Sequence, residues 1–154
     1  MSTTPSNLRR RILGLFVSSL MLTACGAEIR PGRPDPLRAE VQDLVSELER
    51  SLRFGGWHAV ERYFSSDYRG YLNDLREHFD NQRRHKLAFD VQLMINRILQ
   101  QENLINVSVS WWQRWNDLQG KPHKANGTSE LILRRERGEL RIIDIRRPFF
   151  SGKP

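Results

Sequence analysis

Few side chains in this sequence combine a reactive type with a spacing that chemistry could use, and the plainest is Cys25, its only cysteine. A single thiol excludes an internal disulfide and a cysteine-rich metal site. The four histidines, His58, His78, His85 and His123, include no pair at i, i+4, the spacing with which a helix presents two imidazoles to zinc. No metal and no cofactor is therefore expected, although His78 on a helix could face a pocket. No Ser-His-Asp set and no glycine-rich phosphate loop can be assembled. The remaining unusual feature is aromatic: Trp111, Trp112 and Trp115 around Arg114. Along a strand, successive side chains take opposite faces. Trp111 then enters the core, while Trp112 and Arg114 stand outside among Ser108 and Ser110. There Trp112 either covers a cross-strand neighbour such as Ile132 or, with Arg114, anchors an interface, since Trp and Arg are typical hot-spot residues.

The segment around Cys25 explains the lone thiol. Ser6 to Arg11 is positively charged, and Ile12 to Leu22 is an 11-residue apolar run. That run is too short to cross a bilayer, which takes about 20 residues. Leu22-Thr23-Ala24-Cys25, followed by Gly26, resembles the lipobox of bacterial lipoproteins. The resemblance implies that residues 1–24 are a signal peptide and that Cys25 becomes the acylated first residue of the mature chain. Membrane lipid is then a partner through Cys25, and two or three acyl chains would hold it stably. Gly26 in place of an aspartate implies the outer membrane, facing the periplasm of the cell envelope. Residues 25–35 carry two prolines, with Pro36 directly after them, and no apolar period, which reads as a solvated tether. Ten such residues reach roughly 33 Å when extended.

Residues 36–150 read as one α+β domain. Asp35-Pro36 is a helix start, an N-cap acceptor before a proline at the first helical position. Leu37, Val41, Leu44, Val45, Leu48 and Leu52 form one apolar face running through Phe54, and Gly55-Gly56 ends it. Trp57, Val60, Tyr63 and Phe64 predict a short second helix. Ser65-Ser66-Asp67 predicts the cap of a third, with Tyr68, Tyr71, Leu72, Leu75 and Phe79 on its face. Near Lys86 the period falls from 3.6 to 2. Leu87 to Ile95 and Ile105 to Trp111 alternate as half-buried strands. Asn116 to Gly127 reads as a polar loop, Leu131 and Leu133 mark a third strand, and Leu140 to Ile145 a fourth. Ile142 and Ile143 are adjacent, so a bulge is expected between them. Three helices before a four-stranded antiparallel meander imply helices packed on one face of a curved sheet.

Two stretches carry a family likeness. Gly56-Trp57-His58-Ala59-Val60-Glu61-Arg62-Tyr63-Phe64 with Ser65-Ser66-Asp67-Tyr68, and the ending Glu136 to Ile145, resemble the second-helix segment and last hairpin of the nuclear transport factor 2-like superfamily. That group has a cone-shaped fold shared by ketosteroid isomerases and polyketide cyclases, and the likeness spans residues 36 to 147. It implies a ligand cavity in the cone, with Tyr63, Tyr68, Phe89 and Trp111 as candidate walls. It also implies pairing, as a homodimer or with an envelope protein, across the sheet face that carries Trp112 and Arg114. In the family's isomerases an Asp base works opposite a Tyr and a protonated acid. Here Tyr63, Tyr68, Tyr71, Asp90 and Asp144 are the groups of those types, but none aligns with a catalytic motif, and Asp90 falls on the polar side of its strand. Asp90 and Asp144 read as exposed strand residues. No catalytic residue is assigned.

Charge narrows the partners further. The whole chain has 25 basic and 18 acidic residues. Without Arg9, Arg10 and Arg11 of the leader, 22 basic residues face the same 18 acids, a net of +4 with the two signs interleaved. No basic stripe exists for nucleic acid. The short runs Arg83 to Lys86 and Arg134 to Arg137 read as solvated ends, or as contacts to anionic head groups beside the anchor. The expected function is a lipid-anchored, non-catalytic ligand- or protein-binding domain, with an isomerase- or cyclase-like enzyme using Tyr and Asp groups as the alternative.

Overall fold

Asp35 begins the first helix as its side chain predicts: its Oδ1 accepts from the Leu37 N–H at 3.0 Å, and Pro36 takes the first helical turn. The computed structural model describes residues 35–147. The expected signal peptide, Cys25, the tether as far as Pro34 and residues 148–150 lie outside the described residues. Helix α1 (Pro36–Phe54) buries Val41, Leu44, Val45, Leu48 and Leu52 on the face their spacing sets. The face stops short of Phe54, which is 77% exposed beneath the Arg53 guanidinium. Gly55 turns the chain sharply: a Cβ there would lie 2.7 Å from both Ala59 Cβ and Ser51 O. Helix α2 (Trp57–Glu61) follows, and α3 spans Leu72–His85.

Strands β1 (Leu87–Gln101), β2 (Leu104–Asn116), β3 (Pro122–Glu136) and β4 (Glu139–Arg146) form one antiparallel sheet in sequence order. Val91, Ile105, Val107, Val109, Trp111, Leu131, Leu133, Leu140 and Ile142 point from it into the core shared with the helices. The bulge expected at Ile142 and Ile143 is present, because Ile132 pairs with Asp144 while Leu133 pairs with Ile142. A second slip, between Ile95 and Arg97, lets β1 continue to Gln101 with Ile98 half-buried. Helix α1 covers the open side of β1: the Leu93 N–H donates to Glu49 Oε2 at 2.8 Å. An edge amide is thereby satisfied. Among the described residues no helix is long and apolar enough to cross a membrane.

Two sequence expectations fail for physical reasons. Ser65-Ser66-Asp67 does not cap α3, which begins at Leu72 and leaves Tyr71 80% exposed. Residues 65–69 run along β4 instead. The Ser65 N–H donates to Ile142 O at 2.9 Å and the Arg69 N–H to Ile143 O at 2.8 Å. Ser65 Oγ accepts from the Asp67 N–H and donates to Glu136 Oε1, so the capping chemistry stabilises a turn. The expected polar loop from Asn116 to Gly127 shrinks to residues 117–121, and Pro122 to Gly127 pair with Trp111 to Asn116. Asp117 closes the turn by accepting from the Gln119 and Lys121 N–H groups through Oδ1, with Gly120 at φ +80°. Small inward residues, Ala125 and Gly127, hid the strand period.

Candidate functional site

Helix α3 carries its polar groups in a row. His78, Gln82 and Lys86 recur at i, i+4 and i+8, one above another on a single face. Their side chains are linked: the Gln82 amide donates to His78 Nε2 at 3.0 Å, and Lys86 Nζ donates to Gln82 Oε1 at 3.1 Å. Asn81 and His85 flank this row, with His85 Nδ1 donating to the Asn81 carbonyl at 2.8 Å. Opposite stands the β2–β3 hairpin with Trp115, Asp117, Leu118, Gln119 and His123. Together the two sides enclose an open cavity of about 590 Å³, within the size range of small-ligand sites.

Lys86 is its centre. It caps the end of α3, where the helix dipole favours a cation. Its Nζ lies 3.8 Å from the centre of the Trp115 ring and 3.3 Å from Oε1 of Gln113, a glutamine 2% exposed on the inner face of β2. Burial pushes the Lys86 ammonium down from 10.5 to about 8. On the hairpin, the His123 ring stacks on Trp115 at 5.6 Å and 12°. Its Nε2 donates to Asp117 Oδ2 at 2.9 Å. The hydrogen bond from His123, then those from the Lys121 and Gln119 backbones, hold the Asp117 carboxyl below its usual range. Among the described residues, no group of three or more His, Cys, Asp and Glu could hold a metal ion.

The Lys86 shift has a measurable consequence. Between about pH 8 and 10.5 the unfolded chain holds a proton at Lys86 that the folded chain has released, so stability rises with pH across that window. Below it, burying the ammonium is a standing cost, screened by the water that reaches half the side chain to on the order of 1 kcal/mol. Lys86→Met is expected to raise the urea midpoint at pH 7 relative to the parent chain. The advantage should shrink to nothing above pH 10.5. Equal midpoints at pH 7 would show that the two amides and the indole ring fully replace the lost hydration.

The four candidate cavity residues do not line this space. Tyr63 is 6% exposed; its hydroxyl accepts from Arg62 Nη2 at 2.6 Å and meets Ser51 Oγ and Glu47 Oε2. Tyr68 packs edge-on against Phe64 at 5.0 Å. Burial, then the charge of Asp144, pushes its phenol up. Phe89 lies against Phe79 and Arg83. Trp111 is buried over Gly127, its indole nitrogen without a hydrogen-bond partner. The correction has one cause: Trp57, Phe64, Phe79 and Trp111 fill the interior, and this cavity opens instead beyond Gln113 at the end of the sheet.

The other expected sites are placed as follows. Trp112 and Arg114 share the outer sheet face, with the guanidinium 4.5 Å from the indole centre. Trp112 pairs with Gln92 and Asn126, whereas Ile132 pairs with Asn106, so Trp112 does not cover Ile132. Asp90 is half-buried between Arg53 at 2.8 Å and Arg114 at 3.1 Å, contrary to its expected exposure. Asp144, also half-buried, lies 4.0 Å from Arg146. The basic runs are partly paired: Arg83 caps the carbonyls of Leu52 and Gly55, Arg134 pairs with Asp67 and Glu136, and Arg135 with Glu40, while Arg84, His85, Arg135 and Arg137 stay exposed. His78 does face the cavity. The sequence reading missed Lys86, Gln113, Asp117 and His123. Two signals were available: the four-residue row on α3, and the parity that sets Gln113 and Trp115 on the side of Trp111.

No protein-family model matches the chain, and no curated protein matches it. Solved structures do. A protein of unknown function from Shewanella oneidensis, described as NTF-2 like, superposes with a TM-score of 0.57, covering 71% of this chain and 96% of its own at 11% identity. A nuclear transport factor 2-like superfamily protein from Salmonella enterica serovar Typhimurium gives 0.57, covering 76% and 97% at 12% identity. The fold is nuclear transport factor 2-like. A hexachlorocyclohexane dehydrochlorinase shares it as well, with a TM-score of 0.59, 71% of this chain and 82% of that one covered, and 13% identity. At such identities the likeness carries fold alone. The nuclear transport factor 2-like fold serves enzymes and non-catalytic proteins alike, so function has to be argued from the cavity.

Proposed function

We propose that the chain is exported and anchored through acylated Cys25, and that its nuclear transport factor 2-like domain is a non-catalytic binder of a small ligand in the cavity between α3 and the β2–β3 hairpin. The observation that carries this reading is the 590 Å³ space itself, polar along α3 and floored by Trp115. Convergent polar groups around an aromatic wall are what a small-molecule site needs. The enzyme alternative called for Tyr and Asp groups around one cavity. Tyr63, Tyr68, Asp90 and Asp144 are instead held by core or surface partners away from this one.

The arrangement suits an anchored receptor. Pro36, Leu37 and Glu40 at the start of α1 surround a hollow with Gln100, Glu102 and Asn103, where β1 ends. The ligand cavity lies where β1 begins. The start of α1, which a tether would precede, is thus at the other end of the sheet from the cavity. The outer face with Trp112 and Arg114 stays open to a second copy or an envelope protein.

Mass spectrometry on the chain purified from its native membrane tests both halves. Under denaturing conditions the mature species should begin at an acylated Cys25 and be absent from a Cys25→Ser variant. Under native conditions a small ligand should travel with the chain and be lost on Trp115→Ala. An unprocessed chain removes the anchor; ligand-free spectra together with unchanged Trp115→Ala behaviour remove the receptor.

A further inference from the structure

We infer that the cavity selects an organic monoanion: a single carboxylate, or an acid of like charge, on an apolar planar body. This rests on the ligand-binding reading above and goes further, because it names the chemistry that the walls recognise. Lys86 is a half-buried ammonium whose partners among the described residues are all neutral. They are the amide oxygens of Gln82 and Gln113 and the rings of Trp115 and Phe89. A desolvated cation without a counter-ion is costly, and an anion entering the cavity would supply one.

The other titratable groups around the space do not serve that purpose. On the hairpin, Asp117 is the only carboxylate lining the cavity among the described residues. Both its oxygens are used, Oδ1 by two backbone N–H groups and Oδ2 by His123. On α3, His78 accepts from Gln82, and His85 spends Nδ1 on the Asn81 carbonyl. Arg83 is turned away, donating to Leu52 O and Gly55 O. Among the described residues the cavity therefore presents one positive charge without an ionised partner, with the amides of Asn81 and Gln119 nearby as further donors.

The rest of the lining fixes the body of the ligand. Trp115 and Leu118 are its large apolar side chains, and Leu118 is 59% exposed at the rim. Apolar surface in that position is covered when a ligand fills the space. A phosphate dianion fits poorly, because the C-terminal carbonyls of α3 face the same region with their negative dipole end. No arginine fork stands among the described lining residues to offset a second charge.

Two probes that differ only in charge test this: 2-naphthoate and 2-naphthamide. Each is titrated calorimetrically into the full chain in phosphatidylcholine nanodiscs, with empty nanodiscs as the blank. The naphthoate is expected to bind at least about tenfold more tightly at pH 7. Its advantage should disappear in Lys86→Gln and persist in Lys86→Arg. It should also decline in the unaltered chain as pH rises past about 8, while the naphthamide affinity stays constant. Equal binding of both probes leaves the receptor reading in place and overturns the anion inference. So does selectivity that survives Lys86→Gln and ignores pH. Binding of neither probe overturns both readings.

Discussion

Gly127→Val should lower the stability of the domain by about 3 kcal/mol, seen as an early urea midpoint with an unchanged slope. Gly127 sits opposite Trp111 in the β2–β3 ladder. A Cβ built on it would lie 2.7 Å from Trp111 Cζ2 and 2.9 Å from Cε2. The indole cannot easily retreat. It is 6% exposed, and β1 closes its other flank with Leu93 as the cross-strand partner. A branched side chain must therefore push a packed ring or part the strands, and interiors at crystal-like density resist both. Trp111→Leu should be destabilising alone, through lost burial. Combined with Gly127→Val it should cost at least about 1 kcal/mol less than the two singles together, because the leucine vacates the space that the valine needs. If Gly127→Val is neutral, the ring does not pack on the backbone here.

The same pair shows how far the sequence could be read. Trp111 announced itself through strand parity, and its inward direction is as predicted. Gly127 did not, because a glycine after Lys-Ala-Asn looks like a turn residue. Only the partner strand reveals that it is flat ladder backbone kept bare for an indole. The Ser65-Ser66-Asp67 run failed similarly. A hydroxyl before an apolar period caps helices and turns with equal ease, and the choice was made by long-range hydrogen bonds to Ile142 and Ile143. What local physics controls was legible: the Asp35 cap, the apolar row of α1, the alternation of β2 and the bulge at Ile143.

The cavity was less legible because its members are ordinary one at a time. Lys86 looked like the end of a basic run and His123 like part of a polar loop, while Gln113 carried no signal of its own beside the tryptophans. Each acquires its role from a partner on another element: Lys86 from Gln113 and Trp115, and His123 from Asp117 across the turn. The expected walls, Tyr63, Tyr68, Phe89 and Trp111, were chosen as aromatic groups facing the cone. Aromatic groups facing a cone of this size fill it. The residues that remain at its mouth are those with hydrogen bonds to keep.

Phe79→Ala is expected to release α3 while the sheet and α1 stay folded. Phe79 is the one fully buried side chain of α3 among the described residues, whereas α1 buries five large apolar ones. It lies 6.0 Å from Trp57, which in turn stacks on Phe64, so an aromatic chain, beside the Arg83 bonds to Leu52 O and Gly55 O, ties α3 to α2 and to the strip along β4. Truncating a buried phenylalanine costs about 3–5 kcal/mol. That is most of what a helix with so small a buried face can receive from tertiary contact, and isolated helices of this length are marginal in water. Hydrogen exchange should show α3 amides losing protection by at least about a hundredfold, with those of β2 and α1 far less affected. Because α3 presents His78, Gln82 and Lys86, ligand affinity should fall with that protection. Uniform loss across all elements would instead mean that α3 and the sheet unfold as one unit. The cavity would then be a rigid feature of the core, where the packing described here gives it one wall that depends most on the Phe79 ring.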